Sequence, residues 1–158
     1  MKIRRYIQAR NFLKEATLNI KNYDSILSKT RKDYEGLRNT GISCNALSNK
    51  IAVTRQCWNH VFKNPNKRSA KVKKLERALC FPYAIKLLNK TTTYQEVSRE
   101  KDKGGNAHLF FGVIGYIRGN RIKVIIRKQE KNTNAKYVLF SFFQMSFAPA
   151  PKTKKETE

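Results

Sequence analysis

His60 and His108 are the two histidines of a 158-residue chain, and so its two side chains that ordinarily change charge near neutral pH. His60 lies in "VTRQCWNHVF" (53–62), which also holds the single Trp of the chain, Trp58. Farther on, "RIKVIIR" (121–127) places Arg121, Lys123 and Arg127 at alternating positions, and "VLFSFF" (138–143) sets Ser141 between Phe140 and Phe142. Glu96 ends the run "TTTYQE" (91–96). These residue types suffice to cut RNA without a metal. A base removes the ribose 2′-OH proton, an acid protonates the departing 5′-oxygen, and cations hold the phosphorane between them. Imidazole suits either proton role at neutral pH, and the planar guanidinium fork suits a phosphate. The candidate catalytic set is therefore His60, Arg127, Ser141, Lys123 and Glu96. Candidates for RNA contact are Arg121, Lys67, Arg68, Lys71, Tyr137 and His108.

Each candidate also has a plainer structural reading. His60 can cap a helix end or bond a core carbonyl, His108 can be a surface residue at a strand start, and Glu96 can offset Arg99. Ser141, in an apolar strand, can satisfy its hydroxyl on backbone. Trp58 matches the helical spacing of its apolar neighbours and reads as core. Neither a metal nor a cofactor is expected. Cys44, Cys57 and Cys80 are odd in number and lack CxxC spacing, and the basic stretches offer no acidic ligands.

Charge narrows the partner. Lys and Arg number 34 against 11 Asp and Glu, a formal charge of +23. No acid occurs from Gly36 to Leu75, nor from Lys103 to Gln129. Such an excess concentrates polyanions around the protein. No window approaches the run of about 18 apolar residues that a membrane span requires. The N-terminal "MKIRRYIQARNFLKEATL" carries charge where a signal peptide has its apolar centre. The expected setting is the cytoplasm, including that of another cell after delivery.

The elements that must position these residues follow from periodicity. Residues 2–38 read as helix on one apolar stripe, divided in two if Asp24 or Ser25 acts as a cap, and Gly41 suits the helix stop. The expected organisation is an N-terminal helical arm (1–40), an α+β domain (41–147) and a disordered basic tail (148–158). Residues 43–89 read as helical pieces, with a turn at 64–69 and an interruption at Pro82. Residues 93–146 read as a four-stranded antiparallel meander, with "KDKGGN", "RGN" and "KNTNA" as connections. Strict alternation then puts Arg121, Lys123 and Arg127 on one face, and groups Ser141 with Tyr137, Leu139 and Phe143. Three cations in a row on a sheet face call for an anion.

Three features taken together, spanning about residues 50–145, carry a resemblance. They are the Trp-x-His helix end of "VTRQCWNHVF", a Pro-interrupted second helix leading to "TTTYQE", and "IKVIIR" paired with a Ser-bearing strand. This arrangement resembles the toxin nucleases of the barnase–EndoU–colicin–RelE superfamily, in particular those at the toxin tips of contact-dependent inhibition systems and their phage-borne relatives. The resemblance implies N-terminal helices packed on a four-stranded antiparallel sheet and metal-independent endoribonuclease activity, with tRNA a frequent substrate. It also implies an acidic cognate immunity or antitoxin protein and a toxin that is monomeric when free. Carried over by position, His60, Arg127 and Ser141 line the cleft, with Lys123 and Glu96 beside it.

Two other functions fit parts of the same sequence. "ALSNKIAVTRQCWNHVFKNPNKR" resembles a helix-turn-helix whose second helix, starting near Thr54, presents Arg55, Gln56 and Asn59 to base edges. A non-catalytic RNA- or ribosome-binding protein accounts for the charge equally well.

Overall fold

The computed structural model describes residues 9–47, 49–63 and 70–145. The polypeptide forms α1 (Phe12–Leu18), α2 (Tyr23–Thr40), β1 (Ile42–Cys44), β2 (Asn49–Ile51), α3 (Arg55–Phe62) and α4 (Ala70–Lys90), followed by β3 (Glu96–Lys101), β4 (Ala107–Ile117), β5 (Asn120–Gln129) and β6 (Val138–Gln144). The fold is α+β, with the helices preceding a four-stranded antiparallel sheet in the order β3-β4-β5-β6.

Local chemistry sets the helix limits. The Asn11 side chain accepts from the Lys14 N–H at the start of α1, and Thr54 does the same for Cys57 at the start of α3. The N-terminal helical segment divides at Asn19–Asn22, a turn earlier than Asp24 or Ser25 would place it. Gly41, at φ 70°, ends α2, and its N–H bonds the Leu37 carbonyl. Where helix was expected from Ser43 onward, β1 and β2 instead form a small antiparallel hairpin. Three-residue strands are too short to leave an alternation that a sequence reading can detect.

The expected interruption at Pro82 does not occur: α4 runs unbroken through it for 21 residues. Pro removes one hydrogen bond and crowds the preceding turn, at a cost of about 3 kcal/mol. Cys80, Phe81, Tyr83 and Ala84 are all buried around it, while the Pro82 ring itself is exposed. Burial of its neighbours outweighs the local penalty.

The core lies between the helices and one sheet face. Phe12 of α1 and Tyr34 of α2 are fully buried in the same cluster as Trp58, Leu88, Val113, Ile122, Ile126 and Phe142. At the N-terminal end, Asn120 and Gln144 accept from the backbone N–H groups of Arg10 and Phe12. No helix among the described residues is long and apolar enough to cross a membrane. The stretches 1–8, 64–69 and 146–158, with the expected turn at 64–69 and the basic tail, lie outside the described residues.

Within the sheet, Ile122, Val124 and Ile126 of β5 point inward, whereas Arg121, Lys123, Ile125 and Arg127 point outward. β4 presents Phe110, Ile114 and Tyr116 opposite Arg127, Lys123 and Arg121, and His108 opposite Gln129. α3 touches this face at the Arg127 end, through Gln56. β6 departs from simple alternation. Ser141 pairs with Ile125, but Leu139 pairs with Ile126, so Phe140 is an extra residue bulged out of the ladder. Leu139 therefore goes into the core together with Phe142. The grouping of Ser141 with Leu139 and Tyr137 fails at this bulge, and Tyr137 packs against Phe111 on the core side instead.

Candidate active site

The bulge in β6 organises the site. It turns the Phe140 ring onto the outer face, where it meets Phe110 edge-on at 5.2 Å. Against Phe140 stacks the imidazole of His60, with centroids 4.4 Å apart and planes inclined by 28°. His60 reaches that position because α3 buries Cys57, Trp58 and Phe62 on its opposite side and packs beside β6. Trp58, expected as core, sits between Tyr34 and Phe62.

Two guanidinium groups flank this stack. Arg127, across from Phe110 in the ladder, lies 5.5 Å from the Phe140 ring centre. It donates to Gln56 Oε1 at 2.9 Å, which ties β5 to α3. Arg77 comes from α4 around the β6 edge. It donates to the Phe142 carbonyl and, at 3.4 Å, to Ser141 Oγ, and it lies over Phe143. The Ser141 hydroxyl is buried and thus finds its partner in Arg77. Neither guanidinium forms an ion pair among the described residues. Glu76, next to Arg77 in sequence, attracts it only through space, and burial raises the Glu76 pKa above the ordinary carboxylate value.

His60 therefore sits in a positive field. Its pKa falls below the ordinary value, first by partial desolvation and then by repulsion from Arg77 and Arg127. The shift favours the neutral imidazole, the form able to accept a proton. An arriving phosphate would offset the two guanidinium charges and raise that pKa, which suits the same ring to donate later in a reaction cycle.

The other candidates divide by place. Lys123 is already compensated: its Nζ pairs with Glu96 at 2.5 Å across β4. Gly112 between them makes room, since a Cβ there would lie 2.9 Å from Glu96 Oε2. The row of cations is thus broken by an acid from β3, and Arg127 is left as the uncompensated member nearest His60. Arg121 stands farther along the outer face, opposite the exposed Tyr116. His108 occupies the other end, with Nε2 3.0 Å from Asp102 Oδ2 and no partner for its buried Nδ1 among the described residues. Lys71 is turned toward α2, where it covers the Tyr23 ring. Tyr137 lies under Lys128 on the core side, away from the cleft. Lys67 and Arg68 fall outside the described residues.

Sequence reading missed Arg77 and Phe140, and named Gln56 only for the helix-turn-helix alternative. Arg77 stands in the Lys-rich run "KVKKLER", where nothing local separates it from its solvated neighbours. Phe140 reads as one more apolar strand residue until the bulge is known.

The geometry bears on the helix-turn-helix alternative as well. A β-hairpin, not a helix, precedes α3, and Gln56, one of its three base-reading candidates, is engaged with Arg127. Comparisons of the chain with protein-family models, with curated proteins and with solved structures found no match.

Proposed function

We propose that this protein is a metal-independent endoribonuclease of the barnase–EndoU–colicin–RelE type, acting at the β6 bulge. The observation that carries this reading is an imidazole of lowered pKa held on an aromatic ring, in the field of two guanidinium groups that form no ion pair among the described residues. A phosphodiester satisfies the charge, and the half-buried rings of Phe110 and Phe140 receive an unstacked base. His60 takes the 2′-OH proton as the 2′-oxygen attacks phosphorus, and the P–O5′ bond breaks with the 5′-oxygen protonated from solvent, which leaves a 2′,3′-cyclic phosphate. Arg127 holds the scissile phosphate. Arg77 fixes the edge of the cleft and adds to the positive field. Lys123, relieved of Glu96, supplies a further cation to the bound strand. RNA with tRNA among its forms is the expected substrate, and an acidic immunity protein is the expected inhibitor, because the same positive cleft attracts both.

The test is incubation of a single-stranded RNA and its all-2′-deoxy counterpart with the protein in EDTA. Cleavage confined to the RNA supports in-line attack by the 2′-OH. RNA left intact at high protein concentration, yet bound tightly, would leave a non-catalytic RNA-binding protein in place of the enzyme.

A further inference from the structure

A second basic cavity lies away from His60, at the start of β6. It is an open cleft of about 590 Å³ where the C-terminal end of α2, the β1–β2 hairpin and the β5–β6 connection meet. Arg38, Lys50 and Lys136 line it, one cation from each of these three segments, with Thr133 and Asn134 as neutral hydrogen-bonding groups. No Asp or Glu is among the lining residues. Arg38 pairs with the half-buried Glu35 at 2.8 Å, whereas Lys50 and Lys136 form no ion pair among the described residues.

The hairpin and the start of β6 are held together. The Ala52 N–H bonds the Tyr137 carbonyl at 2.7 Å, and the Leu139 N–H bonds the Ala52 carbonyl at 2.9 Å, which locks the hairpin to β6. Gly41 packs against the hairpin: a Cβ there would lie 3.0 Å from the Ile51 carbonyl oxygen. Cations from three segments lining one cleft form a site for a phosphate, and the volume admits the sugar attached to it. Tyr137 is one wall of the cavity, and Phe140 of the His60 stack follows three residues on, roughly 10 Å along the strand at ~3.3 Å per residue. A short oligonucleotide spans that interval.

We infer that this cavity is a second nucleotide subsite, which binds a phosphate and ribose of the same RNA strand a few nucleotides from the scissile bond. The inference rests on the RNA reading of the His60 site and extends it: the enzyme grips its strand at two points, so short substrates bind at one of them only.

The experiment compares wild-type protein with Lys50→Ala/Lys136→Ala. The probes are fluorescein-labelled 2′-O-methyl RNAs, a dinucleotide and a strand of about 12 nucleotides, the latter within the length that single-strand grooves cover. Anisotropy titrations run between about 50 and 200 mM salt. Both substituted residues are exposed, and equal melting temperatures establish that the variant is folded. The expected result is a loss of roughly tenfold or more in affinity for the long strand, with dinucleotide binding unchanged. The salt slope should become shallower by about 1.4, two contacts at about 0.7 each for single strands. An unchanged long-strand affinity and slope overturn the subsite while leaving the His60 reading intact. Equal weakening of both probes also overturns it, since that result reflects a general loss of positive field. Failure of the wild-type protein to bind either probe removes both readings together.

Discussion

The imidazole of His60 stacks on the ring of Phe140, centroids 4.4 Å apart, although the two residues belong to different elements, α3 and β6. The contact depends on the bulge that re-aims Phe140 and on the buried face of α3, which points His60 the other way. It ties the titratable ring of the cleft to an aromatic ring that also meets Arg127.

Replacement of Phe140 by Ala removes both this support and a stacking surface for a base. Base–aromatic stacking contributes about 1–3 kcal/mol per base. RNA affinity of Phe140→Ala should fall by an amount in that range, and cleavage should fall further because His60 loses its orientation. Affinity and rate constants measured side by side check this. A loss of affinity alone, with the rate on bound RNA intact, would mean that the stack does not orient His60.

The pKa of His60 is lowered by desolvation, then by Arg77, then by Arg127. Substitution Arg127→Gln should raise it, and so should Arg77→Gln in a protein that remains folded. NMR titration of the imidazole reads both shifts. The linkage has a definite sign. A histidine with its folded pKa below the unfolded value of 6.5 binds fewer protons when folded. Its contribution to stability is therefore complete above that pH and is lost as the pH falls through it. His60→Gln should flatten the decline in melting temperature on the acid side of 6.5. If His60 acts as the base, cleavage should rise with pH through its lowered pKa and level off before pH 7.

Glu96 neutralises Lys123 in the unbound protein. Glu96→Gln should release that ammonium group for phosphate contact, so RNA affinity should increase and the salt slope steepen by about 0.7. If instead Glu96 takes part in proton transfer, the same substitution abolishes cleavage without improving affinity. Titrations at two salt concentrations together with a cleavage time course separate the two roles.

Arg77 satisfies a buried carbonyl and a buried hydroxyl at once. Arg77→Ala should destabilise the protein by about 1–3 kcal/mol, since groups left buried without a partner cost that much. Ser141→Ala removes only a long hydrogen bond of 3.4 Å and should cost less, about 1 kcal/mol. Chemical denaturation measures both. Full cleavage by Ser141→Ala assigns the hydroxyl to holding Arg77, whereas lost cleavage in a stable variant assigns it to the chemistry.

Pro82 is exposed in the middle of α4. Pro82→Ala restores a helix N–H and should stabilise the fold by about 1–3 kcal/mol, read as a raised denaturation midpoint. A lowered midpoint would mean that the ring makes a contact that matters more than the missing hydrogen bond.

The sheet was legible because its signals are local. The strands of the meander alternate over many residues, and Arg118 and Gly119 at positive φ make the tight connection that "RGN" implies. Gly41 and Trp58 likewise act as their types and spacing predict. What escaped depends on contacts distant in sequence. Helix α4 passes through Pro82 because the core holds it on both sides, a tertiary effect that outweighs a local preference. One extra residue at Phe140 shifts the phase of β6 and separates Ser141 from Leu139, and period-two reasoning cannot detect it. His60, Arg127 and Ser141 were legible as types suited to the chemistry. Arg77 was not, because its role comes from reaching a strand 64 residues away.

The most direct test of the central claim is incubation of total tRNA and ribosomal RNA in EDTA with the wild-type protein, His60→Ala and Arg127→Ala, followed by analysis of the product ends. The account predicts discrete fragments with 2′,3′-cyclic phosphate ends from the wild type, none from His60→Ala although it still binds RNA, and strongly reduced cleavage by Arg127→Ala. Equal cleavage by all three proteins would contradict it, because the nuclease centre would then lie away from the His60–Phe140 stack.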